Sequence, residues 1–308
     1  FPFPGLMFVI PSSLLIPLES LKELQTLNPE KEKATNAQIM FLVLNTSGLT
    51  IIPVSIFALR AESSSPTSVF LPILITTFIS SLFGLIIVGL RQRINLLNKT
   101  ILLYIGSLTL FIIGLITYVI YNPDKSEVIS KVGGNLLIFT IVVLFMLLAY
   151  RKKVNVYESF IEGAKEGFEV AIKIIPYLVA MLAAIAVLRA SGALDEAFNG
   201  IKMAVVYLGI TVTEWVDALP VAFMKPLSGG GARGAYVEVM NNFGIDSMQE
   251  KIAATMQGST ETTLYVVAVY FGSVDIKKSR YAVGAGLLCD LVGIISAIFI
   301  SYLFYTNG

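Results

Sequence analysis

Long runs without a charged residue constrain this chain more than any other feature of its sequence. About 20 apolar residues are enough to cross a bilayer as a helix. Only 14% of the residues are charged, against about 25% in soluble domains, so the chain cannot cover a water-facing surface. We therefore expect an all-α polytopic transmembrane helical bundle. Four uncharged runs predict its first spans: Ala34–Leu59, Ser63–Leu90, Thr100–Pro123 and Val132–Tyr150.

The composition also excludes several functions. The sequence has no histidine and a single cysteine, Cys289, which rules out imidazole chemistry, His-ligated metals and intramolecular disulfides. A net charge of +1 gives no basis for binding nucleic acid. We expect no catalytic residues, no metal site and no enzyme activity, since carboxylate chemistry at Glu261 has no partner acid. The chain begins with Phe1, from which we expect that residues are missing at the N-terminus.

Hydrophobic segments in the second half are shorter and interrupted, and the last span carries Asp290 in its interior. Two interpretations stay open: helices broken near a binding site, as in transporters, or amphipathic helices packed on the bundle. The segments are Ile174–Leu188, Met203–Thr213, Thr262–Val274 and Tyr281–Tyr305. Before them, Asn155–Lys173 has an apolar residue at every fourth position, which predicts an amphipathic helix in the membrane interface. The alternative is a soluble linker helix.

Lysine and arginine favour the cytoplasmic side of a membrane. Three basic segments lie on one side if the spans alternate, and we assign that side as the inside. They are Lys22–Lys33, Arg91–Lys99 and Arg151–Lys153. Arg60 does not fit this assignment.

Two stretches of the sequence resemble each other at a spacing near 210 residues. The stretch LNTSGLTIIPVSIFAL places Asn45 and Ser47 where MQGSTETTLYVVAVYF places Gln257 and Ser259. The basic cluster around Lys277 follows the second stretch, which predicts that the two helices run in opposite directions. Inverted repeats of this kind recur in transporters, with the binding site at their interface.

A first candidate site is a hairpin within Gly200–Asn242 that enters the membrane and returns to the same face. Non-helical backbone at that depth requires protein or a water-filled cavity around it. We expect its tip to turn sharply at glycines and to expose N–H groups toward a ligand. A helix starting near Ala232 would direct its positive end at the same point. A flexible loop outside the membrane is the alternative. The tip consists of Ser228, Gly229, Gly230 and Gly231.

A second candidate site is a run of small and polar residues inside an otherwise apolar span. Amide, hydroxyl and carboxylate groups within two helical turns suit a nucleoside or a coupling ion such as Na⁺ or H⁺. Helix packing through small residues is the alternative. A buried Glu261 carboxylate would need a proton, a cation or a ligand. Asp290 is a weaker candidate, with a hydrogen bond inside the bundle as its alternative. The predicted substrate-binding residues are Gln257, Ser259, Thr260, Glu261 and Thr262, completed across the repeat by Asn45, Thr46 and Ser47.

These residues also carry a resemblance to known proteins. The segment Asn36–Arg60 resembles spore maturation protein A, whereas Lys225–Gly234 and Ala254–Val274 resemble spore maturation protein B. The resemblance implies a fusion of two halves with a nucleoside recognition, or gate, domain in each. Residues 1–150 would form the A-like half with an incomplete N-terminus. Residues 151–308 would form the B-like half, including the amphipathic helix 155–173.

The resemblance implies a multi-pass protein of the bacterial cytoplasmic (inner) membrane, since related gate domains occur in concentrative nucleoside transporters and a ferrous-iron transporter. The expected function is transporter-like binding of a small polar solute, a nucleoside or related metabolite, between inverted repeats. The alternative is a non-transporting scaffold in cell-envelope or spore-cortex maturation. No cofactor is expected beyond a coupling ion. The expected partners are the lipid bilayer, the solute and, in a homo-oligomer, further copies of the chain.

Overall fold

The computed structural model describes residues 20–50, 52–165, 190–209 and 211–305, with single residues 168, 172, 179, 183 and 187. These residues form helices and no strands. Residues 20–26 and 156–165 are helical, and a 3₁₀ turn covers Pro123–Lys125. The remaining helices are α1 (Asn36–Thr46), α2 (Val54–Leu59), α3 (Phe70–Arg91), α4 (Lys99–Tyr121), α5 (Ser126–Arg151), α6 (Ala193–Tyr207), α7 (Glu214–Asp217), α8 (Leu219–Met224), α9 (Gly229–Phe243), α10 (Met248–Ser259), α11 (Thr263–Gly272) and α12 (Ala282–Tyr305).

Four of the described helices are long and apolar enough to cross a membrane, namely α3, α4, α5 and α12. The predicted all-α polytopic membrane bundle is therefore confirmed. Helix α3 is half buried within the protein, whereas α4 and α5 leave most of their apolar surface uncovered. A helix that is apolar on all sides suits a lipid environment, so α4 and α5 flank a core built around α3 and α12.

The predicted span Ala34–Leu59 is not one continuous helix. It breaks after Thr46 and resumes at Val54. Pro53 lacks a backbone N–H and disfavours helical backbone at the residue before it. Small polar side chains before it compete for backbone hydrogen bonds, and Gly48 has a low helix propensity. The absence of charges therefore predicted a hydrophobic segment correctly but concealed the break within it.

Helices α3 and α12 approach each other closely through small side chains. A Cβ atom added to Gly84 of α3 would lie 3.0 Å from Sγ of Cys289 on α12. Nearby, the Ser80 hydroxyl donates a hydrogen bond to the Cys289 carbonyl at 3.0 Å. Small residues at such contacts let helix backbones approach within a membrane, and Cys289 serves here as a buried packing residue.

The helices repeat at a fixed spacing. Helices α1 and α10 begin 212 residues apart, and so do α3 and α12. Helices α1 and α10 also begin in the same way. The Thr35 hydroxyl accepts a hydrogen bond from the Gln38 N–H, and the Ser247 hydroxyl accepts one from the Glu250 N–H. Hydroxyl N-caps of this kind fix where a helix starts. The unit α1–α2–α3 therefore corresponds to α10–α11–α12.

The two broken helices, α1–α2 and α10–α11, run antiparallel. Before α1, the Ala34 N–H donates to the carbonyl of Lys278, which follows α11, at 3.0 Å. At the opposite end, Arg60 follows α2 and forms a 2.8 Å ion pair with Asp246, which precedes α10. The start of each broken helix thus lies beside the end of the other, as inverted repeats require.

Parts of the second half differ from the sequence prediction or lie outside the described residues. The segment Met203–Thr213 is not a helix of its own, because α6 ends at Tyr207. The amphipathic helix predicted at Asn155–Lys173 is helical over 156–165. Beyond 165, only single residues of that segment and of Ile174–Leu188 are described.

Candidate functional site

The breaks in the two broken helices meet each other. Helix α10 ends at Ser259, and the backbone is extended at Thr260 and Thr262 before α11 begins. Within this second break, the Glu261 N–H donates a 2.8 Å hydrogen bond to the carbonyl of Thr46, the last residue of α1. The final carbonyls of a helix lack partners inside it, so the second break supplies a hydrogen-bond donor to the end of α1. We call residues 46–48 and 259–263 the crossing.

The connection between α8 and α9 packs directly on the crossing. The buried Lys225 ammonium donates to the Gln257 carbonyl at 2.6 Å, and the Leu264 N–H donates to the Pro226 carbonyl at 3.0 Å. A Cβ atom added to Gly229 would lie 2.9 Å from the Thr262 hydroxyl. Glycine is therefore required at 229 for this close approach, and the predicted hairpin tip does lie beside the predicted polar run.

The glycines of this connection do not form the sharp turn that the sequence predicted. Helix α9 begins at Gly229, three residues earlier than expected, and Gly229–Gly231 form its first turn. Ser228 is the N-cap, and its hydroxyl accepts a 3.0 Å hydrogen bond from the Gly231 N–H. The N-cap stabilises helical backbone that glycine alone would not favour. The positive end of α9 still faces the crossing.

Four predicted polar residues use their donors within their own helices. The Thr46 hydroxyl donates to the Val43 carbonyl at 3.0 Å. The Asn45 side chain donates to the Phe41 carbonyl at 2.8 Å, and the hydroxyls of Ser47 and Ser259 donate to helix carbonyls at 2.8 Å and 2.7 Å. Because a hydroxyl has a single proton, the two serines can offer a ligand only acceptor lone pairs.

The prediction that Glu261 is a buried carboxylate is wrong. Neighbouring Thr260 and Thr262 are buried, and successive side chains of extended backbone point in opposite directions, so Glu261 is exposed. The buried carboxylate is Asp290 of α12, which is 1% exposed. A lone acid inside a long apolar span was the sequence signal for it.

Several buried polar atoms at and beside the crossing have no hydrogen-bond partner among the described residues. They are Oε1 of Gln257, the hydroxyls of Thr260 and Thr263, and both carboxylate oxygens of Asp290. A buried polar atom left without a partner costs free energy and calls for an explanation. These atoms are all acceptors or hydroxyls. They differ from a transition-metal site, since no group of three or more Cys, Asp and Glu residues converges in the described ranges.

The two repeats contribute equivalent contacts to this region. A Cβ atom on Gly84 of α3 would lie 3.4 Å from Oγ of Ser47, and a Cβ atom on Gly293 of α12 would lie 3.4 Å from Oγ of Ser259. Each long helix therefore places a glycine against the serine at the break of the broken helix in its own repeat. The candidate site is assembled from two corresponding halves.

A buried ion-pair network lies at the end of the broken helices farther from the basic loops. The fully buried Arg60 guanidinium pairs with Glu250 and Asp246, and the Tyr236 hydroxyl donates to Glu250 at 2.5 Å. Burial alone would raise the pKa of Asp246, but hydrogen bonds from Ser63 and its neighbour and the charge of Arg60 lower it. Because Arg60 is committed to this network, it does not follow the distribution of surface charges.

The fold and the crossing define a polytopic helical membrane protein built from antiparallel repeats with broken helices. A family model named Gate, described as nucleoside recognition, matches residues 171–277, which include the hairpin and the second break. The chain is 47% identical to spore maturation protein B of Bacillus subtilis (strain 168) over 157 residues, which cover 51% of this chain and 86% of that protein. The chain therefore belongs to the spore maturation protein B family.

A second relative is spore maturation protein A of the same organism. It is 33% identical over 72 residues, which cover 23% of this chain and 37% of that protein. The predicted resemblance to both spore maturation proteins is thus confirmed. No solved structure matches the chain.

Proposed function

We propose that the protein is transporter-like and binds a small polar solute at the crossing. The observation that carries this proposal is the set of buried polar atoms around the break between α10 and α11 that have no partner among the described residues, above all Oε1 of Gln257. A scaffold with no ligand has no use for such atoms and would lose stability by keeping them unpaired. Ligand sites in transporters commonly lie where broken helices meet near the bilayer midplane.

The exposed Glu261 supports the same proposal. It stands at the break between α10 and α11, and a carboxylate facing lipid at that depth would be costly. We infer that a water-filled opening reaches the crossing from this side and admits the solute. Gln257, Ser259, Thr260 and Thr262 would contact the solute together with Glu261. The partners from the other elements would be Asn45, Thr46, Ser47, Ser228, Gly229, Gly230 and Gly231.

The proposed solute is a nucleoside or a related metabolite. The family description, nucleoside recognition, supports this class, and ribose hydroxyls would supply donors to the acceptor-rich crossing.

We also propose that the halves 1–150 and 151–308 are the two gate units. The protein would lie in the cytoplasmic membrane and work in spore maturation, for which its relatives are named. A homo-oligomer would be compatible with the uncovered faces of α4 and α5.

Binding and uptake test the proposal together. The full chain in detergent is screened by thermal shift against nucleosides, and the best ligand, in radiolabelled form, is offered to proteoliposomes. We expect a saturable shift and time-dependent uptake, both weakened by Gln257→Ala. Glu158→Gln is the control, because Glu158 is an exposed acid of the 156–165 helix, which is distant in sequence from the crossing. Folded protein that shows neither a shift nor uptake with any nucleoside would refute the proposal.

The second candidate is a non-transporting scaffold in envelope or spore-cortex maturation. The names of the relatives favour it, as does the fully buried pairing of Arg60 with Glu250, which holds the repeats together. It predicts that Gln257→Ala leaves function in spore maturation intact while Arg60→Met abolishes it. Solute binding at the crossing predicts that both substitutions impair function.

A further inference from the structure

Asp290 is a buried carboxylate inside the membrane-spanning helix α12. It lies eight residues into α12, on the order of 12 Å along the helix axis. It is 1% exposed, and both of its carboxylate oxygens lack a hydrogen-bond partner among the described residues. An unpaired carboxylate is costly in a medium of low dielectric constant. A bound cation or a proton would offset this cost.

Two threonines of the second break pack directly above and below Asp290. Gly286 and Gly293 lie one turn before and after it on the same face of α12. A Cβ atom on Gly286 would be 2.6 Å from Cγ2 of Thr263, and one on Gly293 would be 2.7 Å from Cγ2 of Thr260. The absence of side chains at these glycines admits both threonines, whose hydroxyls face the carboxylate. Both hydroxyls lie within interaction range of the carboxylate, although neither forms a hydrogen bond of ordinary geometry with a described residue.

We propose that Asp290, Thr260 and Thr263 bind a sodium ion. The set supplies two carboxylate and two hydroxyl oxygens, and hard cations prefer oxygen ligands. Two of the ligands flank a helix break, where the unwound backbone and half-helix ends of transporters commonly coordinate Na⁺. The role of this ion as a coupling ion rests on the proposed function, but its binding can be measured without any solute.

Lys225 is the charged side chain that acts on Asp290 from the hairpin. One of the three N–H donors of its ammonium bonds to the Gln257 carbonyl at 2.6 Å. Lys225 therefore offsets part of the charge of Asp290 and leaves room for one further cation. Its positive charge does oppose a second full charge beside it, so the site should favour a monovalent over a divalent cation.

Thermal unfolding of the full chain in detergent tests the site. Midpoints are compared in sodium chloride and choline chloride at equal ionic strength and constant pH, and binding of radioactive sodium is measured in parallel. We expect a saturable sodium-dependent rise in the midpoint that Asp290→Asn abolishes. Thr260→Val should weaken sodium binding on the order of tenfold, because one oxygen ligand to a charged group is lost.

Ser301→Ala is the matched control. Ser301 lies on the same helix as Asp290, is fully buried, and also has a hydroxyl without a partner in the described structure, so the variant should keep the full response to sodium. If Asp290→Asn does not fold, the pair Thr260→Val and Thr263→Val takes its place.

The proposal is overturned if the unaltered protein shows no saturable sodium effect, or if the variants respond to sodium as the unaltered protein does. An Asp290-dependent response to pH without one to sodium would also overturn it and indicate a proton. None of these results depends on solute binding, so failure of this site and of the proposed function are distinguishable.

Discussion

Replacing Arg60 by methionine should destabilise the protein more than any change to a surface charge. The guanidinium is fully buried and pairs with the equally buried Glu250 and with the partly exposed Asp246. Its removal leaves Glu250 without a cation, while the Tyr236 hydroxyl remains hydrogen-bonded to it. Removing one partner of a buried ion pair typically costs about 3–5 kcal/mol, because the other charge stays buried.

The assay is thermal unfolding of the purified chain in detergent, followed by intrinsic fluorescence. At about 2 °C per kcal/mol for a large chain, Arg60→Met should lower the midpoint by roughly 6–10 °C. Lys33→Met is the control, because Lys33 and Glu30 form an exposed pair with side chains 43% and 67% accessible. Exposed pairs contribute about 0–1 kcal/mol, so this control should move the midpoint by roughly 2 °C or less.

A double variant separates the loss of a charge from a loss of packing. Arg60→Met combined with Glu250→Leu replaces the buried pair by apolar side chains, which is often neutral or stabilising. We expect it to recover much of the stability lost in Arg60→Met alone. The reasoning fails if Arg60→Met costs no more than Lys33→Met, or if the double variant is as unstable as the sum of its two single variants.

Three further predictions follow from the packing around the crossing and its ends. Gly286→Ala should cost about 1–3 kcal/mol by overpacking against Thr263, whereas Gly284→Ala, which meets nothing within 4 Å, should be neutral or stabilising in the same unfolding assay. Asp246 has a lowered pKa, so its contribution to stability should be present above about pH 4, the ordinary unfolded value, and decline as the pH falls through the lower folded value. Asp246→Asn should flatten this acid limb of the midpoint measured against pH. Lys225→Met should release the hairpin from the Gln257 carbonyl and make the α8–α9 connection more sensitive to added protease.

The spacing of the repeats could be predicted because it follows from residues that act on their near neighbours in the chain. Asn45 and Gln257 lie 212 residues apart, and this is also the spacing of α1 and α10 and of the N-caps Thr35 and Ser247. Caps and small polar residues act through neighbours a few positions away in the chain, so their pattern survives in a single sequence. The direction of the second broken helix was predicted from the basic residues that follow it.

Burial at the crossing could not be predicted in the same way. Whether Glu261 or Asp290 is the buried carboxylate depends on which side of an extended segment faces α12, and that depends on contacts between distant parts of the chain. In the sequence, the polar residues around Glu261 made it a stronger candidate than Asp290. Gly286 and Gly293, which make room for threonines beside Asp290, read in the sequence as ordinary small residues of a membrane helix.

The hydrogen bond from the Glu261 N–H to the Thr46 carbonyl has a mechanical consequence. It joins the two broken helices at their midpoints, while separate contacts tie them at each extremity: Arg60 with Asp246 at one, and Glu32 with Lys277 at the other. The central hydrogen bond therefore lies between two end contacts and can act as a pivot for the two broken helices. A tilt of one unit against the other about this point would lengthen the contact at one extremity and shorten the contact at the other.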